Sequence, residues 1–233
     1  MNAARLEANL REVRERIADA CRRAGRRADD VRLVAVTKTV DADAPPALVE
    51  LGVTDIGENR VQEAQRKHEA LSDLEVTWHM IGHLQRNKVK YAFRIFTLIH
   101  SVDSLRLGRA ISKRGEFEGR TMPVLVQVNV SGEESKHGLP ADSAADAIRE
   151  MAGLPRLAVR GLMTMAPFVD DAETVRPVFA RLRELSEQVA GLDLPGVEIT
   201  DLSMGMTQDY EVAVEEGATL VRIGSALFRG VAD

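Results

Sequence analysis

The chain has 233 residues, 45% of them apolar and 29% charged, the composition of a folded globular protein rather than a disordered or fibrous one. With 31 Lys+Arg against 36 Asp+Glu the formal net charge is −5, and 4% of residues are aromatic, the reverse of the basic, stacking surfaces that bind nucleic acid. A single cysteine, Cys21, excludes an internal disulfide framework and a zinc ribbon. No apolar run approaches the roughly 20 residues of a membrane span, and the N-terminus, with Arg5, Glu7, Arg11 and Glu12, carries no signal-peptide core. The expectation is a cytoplasmic protein without nucleic-acid or membrane partners, folded as one domain over residues 1–233.

From Leu6 through Leu10, Val13, Ile17 and Cys21 the apolar residues step by four and three, which lines one helix face, and Gly25 supplies a stop. Cys21 falls on that face and reads as a packing residue rather than a reactive thiol. Beyond Gly25 short runs rich in Val and Ile alternate with polar or helical stretches, the pattern of parallel strands covered by helices. The candidate strands are Leu33 to Val36, Thr54 to Ile56, Thr77 to Ile81, Phe96 to His100, Val124 to Val128, Val159 to Met163, Ile199 to Leu202 and Leu220 to Ile223. Among the intervening helices the clearest face is Val175, Val178, Phe179, Leu182, Leu185 and Val189.

Eight parallel strands with helices between them predict a (β/α)8 TIM-type barrel with an additional N-terminal helix over residues 1–25. An open doubly wound sheet would carry a glycine-rich phosphate turn after its first strand, where this chain has Thr37-Lys38-Thr39. Few residues follow Ile223, so the N-terminal helix is expected to fill the gap in the outer ring.

A barrel of this kind places its chemistry at the C-terminal ends of the strands and holds phosphate with the loops after strands seven and eight. The seventh strand ends in Ser203-Met204-Gly205-Met206-Thr207, before an expected helix from Gln208 to Glu216. Hydroxyls and free N–H groups at such a turn suit a dianion. The eighth strand ends in Arg222-Ile223-Gly224-Ser225, with a glycine that admits close backbone approach and a serine that can donate. Lys38 follows the first strand directly, and a lysine against apolar walls or near other cations becomes a usable amine nucleophile. An amine beside a phosphate cradle implies a phosphorylated aldehyde or ketone bound as an imine, pyridoxal 5′-phosphate or a sugar phosphate.

A more specific resemblance rests on Val34-Ala35-Val36-Thr37-Lys38, Gly57 to Glu63, Trp78 to Lys88, Glu134 to Gly138, Gly161 to Met165, Ser203 to Thr207 and Val221 to Phe228. In this order the chain resembles the pyridoxal phosphate homeostasis protein family, the single-domain relatives of the alanine racemase barrel. The resemblance implies pyridoxal 5′-phosphate as cofactor, with Lys38 forming the imine to its aldehyde. It implies that Ser203, Met206, Thr207, Gly224 and Ser225 hold the phosphate, that Arg222 faces the pyridine nitrogen and that Asn59 lies near the ring. Three residues depart from the family pattern: Arg60 where an aromatic is expected, His83 where proline is common, and Arg229 at the Phe-Gly ending. All three are expected to make the outer rim more cationic.

With Arg222 at the ring nitrogen, a guanidinium can donate but cannot leave a proton behind, and an unprotonated ring is a weaker electron sink. Racemisation would also need a second acid/base group opposite Lys38. The racemases take theirs from a second domain, and here only Tyr91 and Tyr210 are available, both read as packing or surface residues. The expectation is therefore a carrier and regulator of the cofactor, maintaining vitamin B6 and amino-acid homeostasis without substantial turnover. Apo cofactor-dependent enzymes are its expected partners and a monomer its expected state. A weak amino-acid racemase and a sugar-phosphate aldolase are the alternatives. His79 and His83 straddle a strand end rather than a helix face, so no metal site is expected. Arg86, Lys88, Lys90 and Arg94 form a basic stripe that reads as a solvated helix face, and Lys136, in the polar loop from Glu133 to His137, reads as an ordinary loop lysine.

Overall fold

The computed structural model describes residues 1–133 and 137–231; Glu134, Ser135 and Lys136 lie outside the described residues. The chain opens with helix α1, Ala3–Arg23, whose N-cap Asn2 accepts from the Arg5 N–H. Its buried face carries Leu6, Leu10, Val13, Ile17 and Cys21, as the spacing requires, together with Asn9 and Ala20. Gly25 has φ +65°, where a side chain would be strained.

Strands β1 (Arg32–Val36), β2 (Asp55–Glu58), β3 (Thr77–Met80), β4 (Leu98–Val102), β5 (Met122–Asn129), β7 (Leu157–Met163), β8 (Val197–Ser203) and β9 (Leu220–Ile223) pair in parallel, each with its neighbours. The β1–β9 and β4–β5 pairings close the ring. The architecture is a (β/α)8 TIM-type barrel. Every expected strand is present. Phe96 instead caps the preceding helix α4 (Val89–Ile95) through its N–H to the Ala92 carbonyl, so the fourth strand begins two residues later than the apolar run suggests. A short strand β6, Leu139–Pro140, pairs in parallel with β5 at its Val128–Asn129 end; nothing in the apolar pattern announced it.

The core has two layers. The larger lies between sheet and helices and takes in α1 and helix α7 (Arg176–Ala190) with Phe179, Leu182, Leu185 and Val189. The smaller fills the barrel interior with Val34, Leu98, Leu125, Met163 and Leu220, one side chain from each of five strands. Above and beside it the interior is polar: His79, His100, Ser203, Gln127 and Arg222 are all buried.

Helix α8 spans Tyr210–Glu215, shorter than the expected Gln208 to Glu216, because the Asp209 carboxylate accepts from the Met206 N–H at 2.6 Å and folds residues 206–209 into a turn. Only one helical turn, α9 (Ser225–Phe228), follows β9. α1 packs over α8 and α9, and Asn9 donates to the carbonyls of Leu227 and Arg229 at 2.8 and 2.9 Å. Arg23 pairs with Glu215 at 2.6 Å. The N-terminal helix thus completes the outer ring. Among the described residues no helix is long and apolar enough to cross a membrane.

Candidate cofactor site

At the C-terminal ends of the strands lies a cavity of about 500 Å³, within the ordinary range for small ligands. It is lined by Lys38, Asn59, Met206, Thr207, Arg222, Gly224 and Ser225, together with Gln127, Gly82 and His83. The sites proposed from the sequence therefore converge on one space, all except Ser203.

Lys38 stands two residues past the end of β1 and is exposed. Beneath it Thr37, Glu58 and Lys67 form a buried cluster. The Lys67 ammonium donates to the Thr37 carbonyl at 2.5 Å and to Glu58 at 2.6 Å, and the Thr37 hydroxyl donates to the same carboxylate oxygen at 2.6 Å. The other Glu58 oxygen is buried without a partner. Lys67 reaches this point from helix α3, Val61–Ala70.

Asn59 lies against Gly82, where a Cβ would sit 2.3 Å from the Asn59 carbonyl; glycine is required there for the β2 and β3 loops to approach. At the far end of the cavity the Ser225 hydroxyl donates to the Thr207 hydroxyl at 3.0 Å, and the Ala226 N–H points at the same oxygen at 3.3 Å. Gly205 permits this turn: its φ is +91° and a Cβ would meet Ala213 at 2.6 Å.

Ser203 is placed apart from the others. It is fully buried beneath the cavity and does not line it, because an inward-facing residue at the last position of β8 points into the barrel rather than over its rim. Its oxygen accepts from Arg222 Nη1 at 2.5 Å and meets His100 Nδ1 at 2.8 Å. The second Arg222 nitrogen donates to the Thr164 carbonyl at 2.9 Å. Burial pushes the Arg222 guanidinium down to about 10, Asp209 opposing it, so the group stays charged at neutral pH.

Tyr210 and Tyr91 do not line the cavity. Tyr210 is buried on α8 against α1, with the Arg16 guanidinium 5.6 Å from its ring centre, and Tyr91 lies on α4 with the Lys88 and Lys90 ammonium groups 5.8 and 4.7 Å from its ring centre. Of the rim residues, His83 pairs with Asp103 at 2.9 Å and stacks on His137, ring centres 4.3 Å apart and planes at 17°. The three donor atoms lie within 4.8 Å, yet near-parallel stacked rings direct their lone pairs side by side rather than at one point. Arg60 is exposed beside Lys38, whereas Arg229 lies on the α1 side of the barrel, pairing with Glu12 at 3.5 Å. Sequence reasoning did not single out Glu58, Lys67, His100, Thr164 or Gln127. For His100 and Gln127 the available signal was a polar residue inside an apolar strand run, which does not say which way the side chain faces; Lys67, on a helix, gave no such signal.

A barrel whose mouth joins a strand-end lysine to a hydroxyl-lined turn defines a class, and the family model described as alanine racemase, N-terminal domain, matches residues 2–231. The pyridoxal phosphate homeostasis protein of Aquifex aeolicus is 44% identical over 94% of this chain and 95% of its own length. This chain belongs to the pyridoxal phosphate homeostasis protein family. Among solved structures, a protein of unknown function from Bifidobacterium adolescentis is 38% identical, with a TM-score of 0.89 over 97% of this chain and 95% of that one. PipY of Synechococcus elongatus, solved with pyridoxal phosphate bound, is 35% identical, with a TM-score of 0.79 over 85% of this chain and 92% of its own.

Proposed function

We propose that this chain binds pyridoxal 5′-phosphate through Lys38 and holds or delivers it without substantial turnover. The observation that carries the reading is the single cavity joining the exposed Lys38 amine, the buried Arg222 cation and the Thr207–Ser225 hydroxyl pair. The homeostasis names of the relatives and the cofactor bound in PipY support it.

The residues fit the group. Met206, Thr207, Gly224 and Ser225 form the end suited to its phosphate, since hydroxyls and backbone amides bind dianions without needing a cation. Arg222, held by Ser203 and Thr164, presents a donor that keeps its proton and so suits an unprotonated pyridine nitrogen. Asn59 closes the side toward β3. Condensation of the Lys38 amine with the aldehyde, with loss of water, is the chemistry the bound group supplies.

The lack of turnover is supported by placement. Neither tyrosine lines the cavity, and Tyr210, the first candidate for a base opposite Lys38, faces α1 on the outside of the barrel. We further propose that the chain acts in the cytoplasm as a monomeric unit and that apo cofactor-dependent enzymes receive its cargo. The test is spectroscopic. The purified protein should show an imine absorption band that borohydride abolishes, with the reduced label on Lys38. A colourless protein, or a Lys38→Ala variant that binds pyridoxal phosphate as tightly as the wild type, would refute the assignment.

A further inference from the structure

Four hydrogen bonds cross the barrel interior in one line. The Asp55 carboxylate, at the start of β2 on the N-terminal face of the barrel, meets His79 Nε2 at 2.8 Å. His79 Nδ1 meets His100 Nε2 at 2.8 Å, His100 Nδ1 meets the Ser203 hydroxyl at 2.8 Å, and Arg222 Nη1 donates to that hydroxyl at 2.5 Å. His79, His100 and Ser203 are fully buried, and the line starts at a carboxylate that is 19% exposed. We propose that Asp55, His79, His100 and Ser203 form a one-way relay that orients Arg222 at the floor of the cofactor cavity, with His79 and His100 as positioning residues.

The direction follows from the chemistry of the two ends. A guanidinium only donates and an ionised carboxylate only accepts. Ser203 accepts from Arg222, so its own hydrogen points to His100 Nδ1, which must be bare. His100 then carries its proton on Nε2 and gives it to His79 Nδ1, also bare, and His79 donates from Nε2 to Asp55. Both rings are neutral Nε2–H tautomers, and every polar atom along the line has a partner. The alternative, a cationic His79 with His100 reversed, would face the Ser203 oxygen with two donors and leave its hydrogen without an acceptor. Burial, with His79 and Arg222 nearby, holds His100 well below the ordinary histidine range, in keeping with a neutral ring.

Each member turns its acceptor side toward Arg222, so the relay presents the negative ends of aligned dipoles to a buried cation, and such chains polarise one another. Thr164 fixes the second guanidinium nitrogen. The plane of the group that would face the cofactor ring is thereby set from both sides. The functional part of this inference rests on the proposed cofactor reading; the relay itself does not.

Two measurements test it. Chain labelled with 15N-histidine and free of cofactor, at neutral pH, should show His79 and His100 each with a protonated Nε2 and a bare Nδ1. A cationic His79, or an Nδ1–H tautomer at either ring, would overturn the relay. In chain loaded with pyridoxal phosphate, His100→Leu and Ser203→Ala should each speed cofactor release about tenfold, the loss of one hydrogen bond to a charged group, and shift the visible band. His100→Gln, whose amide both donates and accepts, should restore both. Release at the wild-type rate with an unmoved band in Ser203→Ala would overturn the positioning role, even if His100→Leu fails to fold. A wild type that binds no pyridoxal phosphate would instead refute the proposed function while leaving the tautomers to decide the relay.

Discussion

Lys67 and Glu58 form a buried ion pair, 2.6 Å apart and at most 1% exposed, directly beneath the residue that precedes Lys38. Desolvation offsets most of the attraction within such a pair, but removing one partner leaves a buried charge and costs about 3–5 kcal/mol. Lys67→Met should therefore lower the unfolding free energy by an amount of that order and release the Thr37 carbonyl, slowing attachment of pyridoxal phosphate to Lys38. Glu58→Gln, which keeps an acceptor oxygen for Lys67 and Thr37 but leaves the Lys67 ammonium unpaired, should also destabilise, though by less. Urea titrations of both variants, with the rate at which the imine band appears, check this.

The hydroxyl pair Thr207–Ser225 gives the phosphate end a measurable weight. Charge-assisted hydrogen bonds are each worth about 1.5–3 kcal/mol, so Thr207→Ala should weaken pyridoxal phosphate binding at least about tenfold while leaving the affinity for unphosphorylated pyridoxal unchanged. Equal loss for both aldehydes would place the phosphate elsewhere.

Tyr210 predicts a pH dependence. Burial raises its phenol to about 12 against an ordinary 10, the Arg16 guanidinium opposing the rise. Because the folded value is the higher, the neutral phenol stabilises the fold fully below pH 10, and that contribution is lost as pH climbs through 12, about 3 kcal/mol in all. Its hydroxyl has no partner, so Tyr210→Phe should be as stable as wild type or more so at pH 8. Urea midpoints at pH 8 and 11 should fall more steeply in wild type than in the variant.

Amino acids should enter the loaded site without losing their alpha proton. General acid/base help contributes about 10²- to 10⁴-fold for each well-placed group, and no tyrosine faces Lys38 across the cavity. Incubation of the loaded protein with L-alanine in heavy water should show negligible deuterium uptake and no D-isomer. Turnover at the rate of a dedicated racemase would restore the enzymatic alternative.

The buried thiol offers a check on the outer ring. Cys21 is 1% exposed on the inner face of α1, and burial pushes it up from its ordinary value. Native protein should resist thiol reagents, and labelling should follow unfolding of α1 from α8 and α9, read by mass spectrometry of the modified chain.

The linear sequence carried the barrel because its signals are local. Helical spacing alone defines the inner face of α1 from Leu6 to Cys21, and buried parallel strands announce themselves as Val- and Ile-rich runs such as Leu33 to Val36. Lys38 and the loops after β8 and β9 were legible for the same reason, since the end of a strand is a local property and the fold places all strand ends at one mouth. What lies inside the barrel was not legible. His79, His100, Ser203 and Arg222 sit on four strands, and Lys67 on a helix, so their contacts depend on register and ring closure rather than spacing. A strand buried on both faces also loses the alternation that would mark which residues point inward. Ser203 shows the limit: the sequence places it in the phosphate turn, and only closure of the ring turns its hydroxyl down onto Arg222.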